Sequence, residues 1–250
     1  MDEQNHLPKY IEHKDADSVV LFIHGFMGGP RQFDRLSQLV YDHGFSASCV
    51  LLPGHGVSLK DFSSSTYRSW IKSVSEELDR LEKKYKNIWI VGHSMGGLLA
   101  LCLAIYPTAN IRGVLAIASP FELTILSKND IKVRLTQVLK SEEHYINQEY
   151  IGKSSVPRTP SVIFRSLAPM IEVKKLIRYT RANLGILRAP VKAIYSISDE
   201  LISIKSLEIL KTGLKKSHFE YVVLTDSLHS YYTEEEKLII DEELLEFILK

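Results

Sequence analysis

Cysteine is nearly absent, with only Cys49 and Cys102 among 250 residues, far apart and each in apolar surroundings. Two buried thiols are expected, and a disulfide-stapled scaffold or a paired-cysteine metal site is excluded. An excess of one charge sign is missing as well. Thirty-one Lys and Arg against thirty Asp and Glu leave a formal +1. Such a balance gives no general attraction to phosphate backbones or anionic membranes, so no nucleic-acid partner is expected. The opening residues, Met1 to Ser18, carry no apolar run of the kind a secretory signal needs. With two unpaired thiols, that points to a cytoplasmic home.

Long uncharged runs are also scarce. Ile88 to Tyr106 lacks Asp, Glu, Lys and Arg, yet Gly92, Gly96 and Gly97 interrupt it and Pro107 follows at once. These letters read as a buried strand, a tight turn and a buried helix, and no stable membrane insertion is expected. What remains is globular: 45% hydrophobic and 24% charged residues. Folding a chain of this length leaves about 11,000 Å² exposed out of about 41,000 Å², so a sizeable core forms without metals or disulfides.

Short aliphatic runs recur at Val19 to Ile23, Ser46 to Leu51, Ile88 to Val91, Gly113 to Ile117, Val191 to Ile197 and Phe219 to Leu224. Most are continuously apolar, as strands covered on both faces are. Helical patterns separate them. Tyr67, Trp70, Ile71, Val74, Leu78, Leu81 and Tyr85 form one stripe, and Phe33, Leu36, Leu39 and Val40 follow Pro30 as the buried side of another. Thr233 and Glu236 read as a capping box opening a C-terminal helix. Alternation of strands and helices predicts a parallel, doubly wound α/β sheet of six to seven strands in one domain, residues 1–250. Some seventy residues then separate the fourth and fifth predicted strands, too many for a plain connection. Residues 121–188 are expected to form a small helical cap, with helices near Asp130 to Leu139 and Met170 to Asn183 and a linker at Pro157 and Pro160.

Gly92-His93-Ser94-Met95-Gly96 is a Gly-x-Ser-x-Gly pattern set between a predicted strand and a predicted helix. That context forces a sharp turn that only glycines on either side allow, and it exposes Ser94 at a helix N-terminus as a nucleophile. A free hydroxyl is a poor nucleophile, so a base and a group that orients it are required. Of nine histidines, His229 is the candidate base, because its loop emerges at the same sheet edge as Ser94. His93 is adjacent to Ser94 and cannot fold back onto its hydroxyl. His6, His13, His43, His144 and His218 are expected to be solvated. Asp199, closing the fifth predicted strand, is the candidate acid; its rival Asp226 more simply caps a turn. A strand order of 2-1-3-4-5-6 opens a crevice between the first and third predicted strands. There the Met95 amide and the Phe26 amide of His24-Gly25-Phe26 are the expected donors of an oxyanion hole. A P-loop is excluded because Leu98 stands where lysine is needed, and no zinc-binding pattern occurs, so no metal is expected.

The chain resembles an α/β-hydrolase, close to the bacterial carboxylesterase and monoacylglycerol lipase group. The resemblance rests on His24-Gly25-Phe26, Pro53-Gly54-His55-Gly56, Gly92-His93-Ser94-Met95-Gly96-Gly97, Asp199 and His229, in family order. Leu228 and Ser196 depart from it where many relatives have glycine. The resemblance implies a helical cap and hydrolysis of acyl esters through an acyl-enzyme, without a cofactor. Thioester hydrolysis, acyl transfer, carbon–carbon cleavage or a non-catalytic binding role would suit the same fold. His55 is expected to stabilise its turn. The expected partner is a small-molecule ester with an apolar acyl or aromatic group; Phe121, Leu123, Ile125, Leu126, Phe164, Leu167, Met170 and Ile171 are apolar enough to line its pocket, with packing of the cap against the core as their default role. Arg165, Lys174, Lys175, Arg178, Arg181 and Arg188 are expected to form a solvated basic face.

Overall fold

Six strands run parallel through the centre of the molecule, because helices cross back over the sheet between one strand and the next in the chain. In a computed structural model that describes residues 6–56, 58–105, 110–124, 155 and 165–250, they are β2 (Ser18–Ile23), β3 (Ser46–Cys49), β4 (Asn87–His93), β5 (Ile111–Ile117), β6 (Val191–Ser196) and β7 (Phe219–Leu224). A seventh strand, β1 (Lys9–Ile11), pairs antiparallel with β3, Tyr10 opposite Ser48, and gives the order β1-β3-β2-β4-β5-β6-β7. The sequence pattern missed β1, since three residues with only partial burial carry no legible period. The order of the other six is the expected one.

β2 lies between β3 and β4, so the winding reverses there and a crevice opens at the carboxyl ends of β2 and β4. Helices cover both faces. On one, α3 (Tyr67–Glu82) buries Trp70, Val74, Leu78 and Leu81, the predicted stripe. Its start is set by a capping box in which Thr66 and Ser69 exchange side-chain and backbone bonds. Beside it α4 (Met95–Ile105) is buried on every side, which explains why its sequence is apolar all round. Each fully buried leucine such as Leu98 or Leu101 contributes about 1.5–3 kcal/mol. The opposite face is covered by α1 (Asp34–Asp42) and α7 (Glu234–Leu249), which pack Leu36, Val40, Ile240, Leu244 and Ile248 against Phe22 and Leu115.

Helix α5 (Leu167–Asn183) extends the expected Met170 to Asn183 helix by one turn at its start. It rests on α2 (Leu59–Ser64), α3 and α4, and buries Leu176 and Thr180. Cys102 meets the Thr180 hydroxyl at 3.0 Å, and burial pushes both Cys49 and Cys102 thiols up to about 12, as free thiols. The expected helix near Asp130 to Leu139, the Pro157 and Pro160 linker, and Ile125, Leu126, His144 and Phe164 lie outside the described residues. The last helix in the core layer before β7 is α6 (Lys205–Gly213).

Thr233 caps α7 by accepting the Glu236 amide at 3.2 Å, but the expected capping box is only half formed. The Glu236 carboxylate turns instead to the preceding loop, where it accepts the amides of Thr225, Asp226 and Ser227 at 2.6, 3.1 and 2.7 Å. Three amides and the Ser227 hydroxyl satisfy this buried carboxylate better than one N-cap amide would.

Candidate active site

Only Ser94 separates β4 from α4, so the chain must reverse within one residue. Its φ is +54°, in the left-handed region that non-glycine residues rarely occupy. The turn passes close against β2: a Cβ at Gly96 would sit 1.9 Å from the Ile23 carbonyl oxygen, and one at Gly92 would sit 2.2 Å from the Gly96 carbonyl oxygen. Glycine is therefore obligatory on both sides, as expected from the motif. The Ser94 amide is anchored to the Ile117 carbonyl at 2.8 Å, which leaves the side chain pointing out of the sheet edge.

His229 comes from the loop between β7 and α7 and meets it. The Ser94 hydroxyl donates to His229 Nε2 at 2.9 Å, and His229 Nδ1–H donates to Asp199 Oδ2 at 2.8 Å. The other oxygen of Asp199 accepts the amides of Leu201 and Ile202, each at 2.8 Å. Burial alone would raise the Asp199 carboxyl; the bond to His229, its electrostatic attraction and the two amides outweigh it and hold it below its ordinary value. Asp226 is exposed, and its carboxylate accepts the neighbouring Thr225 hydroxyl at 2.7 Å. The three residues read from sequence are thus brought together, and the rival acid is not among them.

The loop carrying His229 is held from several directions. The His229 amide donates to Glu200 Oε2 at 2.8 Å, and its carbonyl accepts His93 Nε2–H at 2.9 Å. Ser196 donates its hydroxyl to the Ser227 carbonyl at 2.6 Å and so ties the strand that leads to Asp199 to the loop that carries His229. Sequence patterns held no sign of Glu200, nor of the loop-anchoring contacts of Glu236 and Ser196, because their partners lie on other elements.

After β2, Gly25 approaches Ser94 so closely that a Cβ there would be 3.1 Å from the Ser94 Cβ. Neither the Phe26 nor the Met95 amide donates to another described residue, and both residues line the cavity that Ser94 and His229 open into. That cavity has a volume of about 390 Å³ and walls from Phe26, Met95, Leu123, Met170, Val173, Leu201 and Ile202. Of the expected lining residues, Leu123 and Met170 contribute, Phe121 is in the core, and Leu167 and Ile171 are exposed. Val173, Leu201 and Ile202 were not anticipated. Of the expected basic face, Arg165, Arg178, Arg181 and Arg188 are solvated, Lys175 pairs with Glu172 at 2.6 Å, and Lys174 reaches the cavity wall.

The remaining histidines divide by environment. His43 and His218 are exposed as expected and His13 is half-buried, but His6 is buried, a correction to its expected solvation. The enclosing contact is Gly56, whose position would put a Cβ 2.8 Å from the His6 Cβ. His55 does stabilise its turn, accepting the Met27 amide at 3.2 Å while its ring edge meets the Pro53 carbonyl at 3.3 Å. Burial pushes His55 down to about 4, and burial with the neighbouring His229 pushes His93 down to about 3. Among the described residues no group of three or more His, Cys, Asp or Glu is placed to hold a metal ion, and no helix is long and apolar enough to cross a membrane.

Residues 20–194 match the model of the alpha/beta hydrolase family. A thermostable monoacylglycerol lipase of Bacillus sp. (strain H-257) is 25% identical over 232 residues, covering 92% of this chain and 90% of that protein. The structure of the metagenome-derived lipolytic enzymes LipS and LipT superposes with a TM-score of 0.78 at 19% identity, over 98% of this chain and 97% of that one. The monoacylglycerol lipase of Paleococcus ferrophilus superposes at 0.67 with 17% identity, over 96% and 98%. With a reversed winding at β2, a serine at the turn into α4 and a family model spanning most of the sheet, the chain belongs to the alpha/beta hydrolase family.

Proposed function

We propose that this hydrolase is a serine carboxylic-ester hydrolase of the carboxylesterase and monoacylglycerol lipase kind. Ser94 attacks the ester carbonyl while His229 Nε2 takes its proton, and Asp199 holds the imidazole in the Nδ1–H tautomer and stabilises the imidazolium that forms. The oxyanion develops against the Phe26 and Met95 amides, the second at the positive end of α4. His229 returns the proton to the leaving alcohol, and water repeats the cycle on the acyl-enzyme. The observation that carries this reading is the continuous line from Ser94 through His229 to Asp199, at 2.9 and 2.8 Å, beside two amides that donate to no described residue.

An apolar cavity of about 390 Å³ favours an apolar acyl chain, and the similarity to a monoacylglycerol lipase over most of both chains favours a small glycerol-type ester. Residues 121–188 would act as the cap over it, in a protein of the cytoplasm. Turnover of p-nitrophenyl esters of increasing chain length and of monoacylglycerols, with covalent labelling by a serine-directed phosphonate, tests the proposal. Ester turnover with labelling at Ser94 supports it. Labelling without ester turnover moves the reaction to another acyl chemistry, and folded protein that is never labelled rejects catalysis at Ser94.

A further inference from the structure

Two loops must stay in register for the proposed reaction: the one after β7, which carries His229, and the one after β2, which carries Phe26. A chain of three hydrogen bonds joins them. The Gly25 amide donates to Gln32 Oε1 at 3.2 Å, Gln32 Nε2–H donates to His93 Nδ1 at 2.7 Å, and His93 Nε2–H donates to the His229 carbonyl at 2.9 Å. Only one arrangement of protons satisfies it. Flipping the Gln32 amide would set its NH₂ against the Gly25 N–H, and moving the His93 proton to Nδ1 would set a bare Nε2 against the His229 carbonyl oxygen. All donors therefore point one way, and the bonds polarise one another.

The surroundings are shaped for this bridge. Gln32 stands in the Pro30–Phe33 turn, where Pro30 presets the backbone. A Cβ at Gly25 would press His93 Nδ1 at 3.2 Å, and one at Gly28 would press Gln32 Oε1 at 3.0 Å. The Gly25 carbonyl is fixed as well, accepting His24 Nδ1–H at 2.9 Å and the Gly28 amide at 3.0 Å. The peptide plane that presents the Phe26 N–H is thus held at its carbonyl, and the preceding amide is held by Gln32.

We propose that Gln32 and His93 are positioning residues that set the distance between the His229 imidazole and the Phe26 amide, and so align base and oxyanion donor on Ser94. The inference rests on the roles given above to Ser94, His229 and Phe26. Both side chains also border the cavity beside Ser94; loosening the bridge lets the two loops drift, and displacements near 1 Å cost up to about 100-fold in rate.

The test is steady-state hydrolysis of a p-nitrophenyl ester by wild type, Gln32→Leu, Gln32→Ser and a control, Gln38→Leu, on the exposed face of α1. Thermal unfolding and the affinity of a trifluoromethyl ketone are measured on each. The expected result is a kcat lower by about 10- to 100-fold in both Gln32 variants, KM within threefold of wild type, ketone affinity reduced in parallel with kcat/KM, and wild-type behaviour in Gln38→Leu. If the leucine variant does not fold, the serine variant carries the same readout. A folded Gln32 variant with kcat within twofold of wild type, or one whose KM alone rises, overturns the bridge and leaves the esterase proposal standing. Wild type without Ser94-dependent turnover overturns the esterase proposal, and the inference falls with it.

Discussion

Asp199 faces His229 with one carboxylate oxygen at 2.8 Å, while its other oxygen is committed to the amides of Leu201 and Ile202. Both oxygens must accept. In Asp199→Asn the amide NH₂ is opposed either by the His229 Nδ1–H or by two backbone N–H groups. The imidazole is then driven toward the tautomer that cannot take the Ser94 proton, and turnover falls by about 10³ to 10⁴. Asp226→Asn, on an exposed turn, stays within a few-fold of wild type. Kinetics of the two variants side by side check this, and the reverse ranking would move the acid to Asp226.

Gly96→Ala is expected to be far more damaging than its size suggests. Its Cβ would lie 1.9 Å from the Ile23 carbonyl oxygen, a backbone atom at the end of β2 that cannot step aside. The loss is about 3 kcal/mol or more. Gly97→Ala meets the Ser119 hydroxyl, also at 1.9 Å, but a side-chain oxygen can rotate away, so this variant retains more stability. Denaturant unfolding of both proteins ranks them.

Glu236→Gln leaves an NH₂ facing one of the amides or the hydroxyl that the carboxylate now accepts. Stability drops by about 1–3 kcal/mol for the unsatisfied donor, and kcat drops with it because the same loop carries His229. Equal Tm and kcat in Glu236→Gln and wild type would show that the loop is anchored elsewhere.

Acid should destabilise the fold well above the carboxylate range. His24, His55 and His93 are neutral and buried, with His55 held down to about 4, His93 to about 3, and His24 well below its ordinary value, in each case chiefly by burial. The unfolded chain protonates these rings near pH 6.5, so it binds more protons than the native state below that value. Their contribution is complete above about pH 6.5 and is lost progressively as pH falls toward 4. Asp199 and Glu236, whose carboxyls are held below their usual values, add a second loss below about pH 4. Thermal unfolding between pH 8 and pH 4 should show Tm falling from about pH 6.5 downward; a flat Tm to pH 5 contradicts it.

What was legible in the chain depended on how local the constraint is. The Ser94 turn could be read because its glycines, strand and helix are contiguous, and the parallel sheet followed from aliphatic runs with helices between them. Asp199 and His229 could be found because strand-end loops at one sheet edge must converge. The capping box at Thr233 misled because its local pattern is genuine, yet Glu236 gains more from three amides on the previous loop. β1 was too short to show a period. Gln32 gave no signal at all, since what it bonds is His93, on a different element and known to be near only after the chain has folded.

The measurement closest to the centre of all this is the rate of ester hydrolysis by Ser94→Ala, read with its unfolding curve. A fall of about 10⁴ or more with unchanged stability is the expected result, since in the proposed reaction the hydroxyl oxygen forms the bond to the acyl carbon. Ester turnover at the wild-type rate by the folded alanine variant would contradict it.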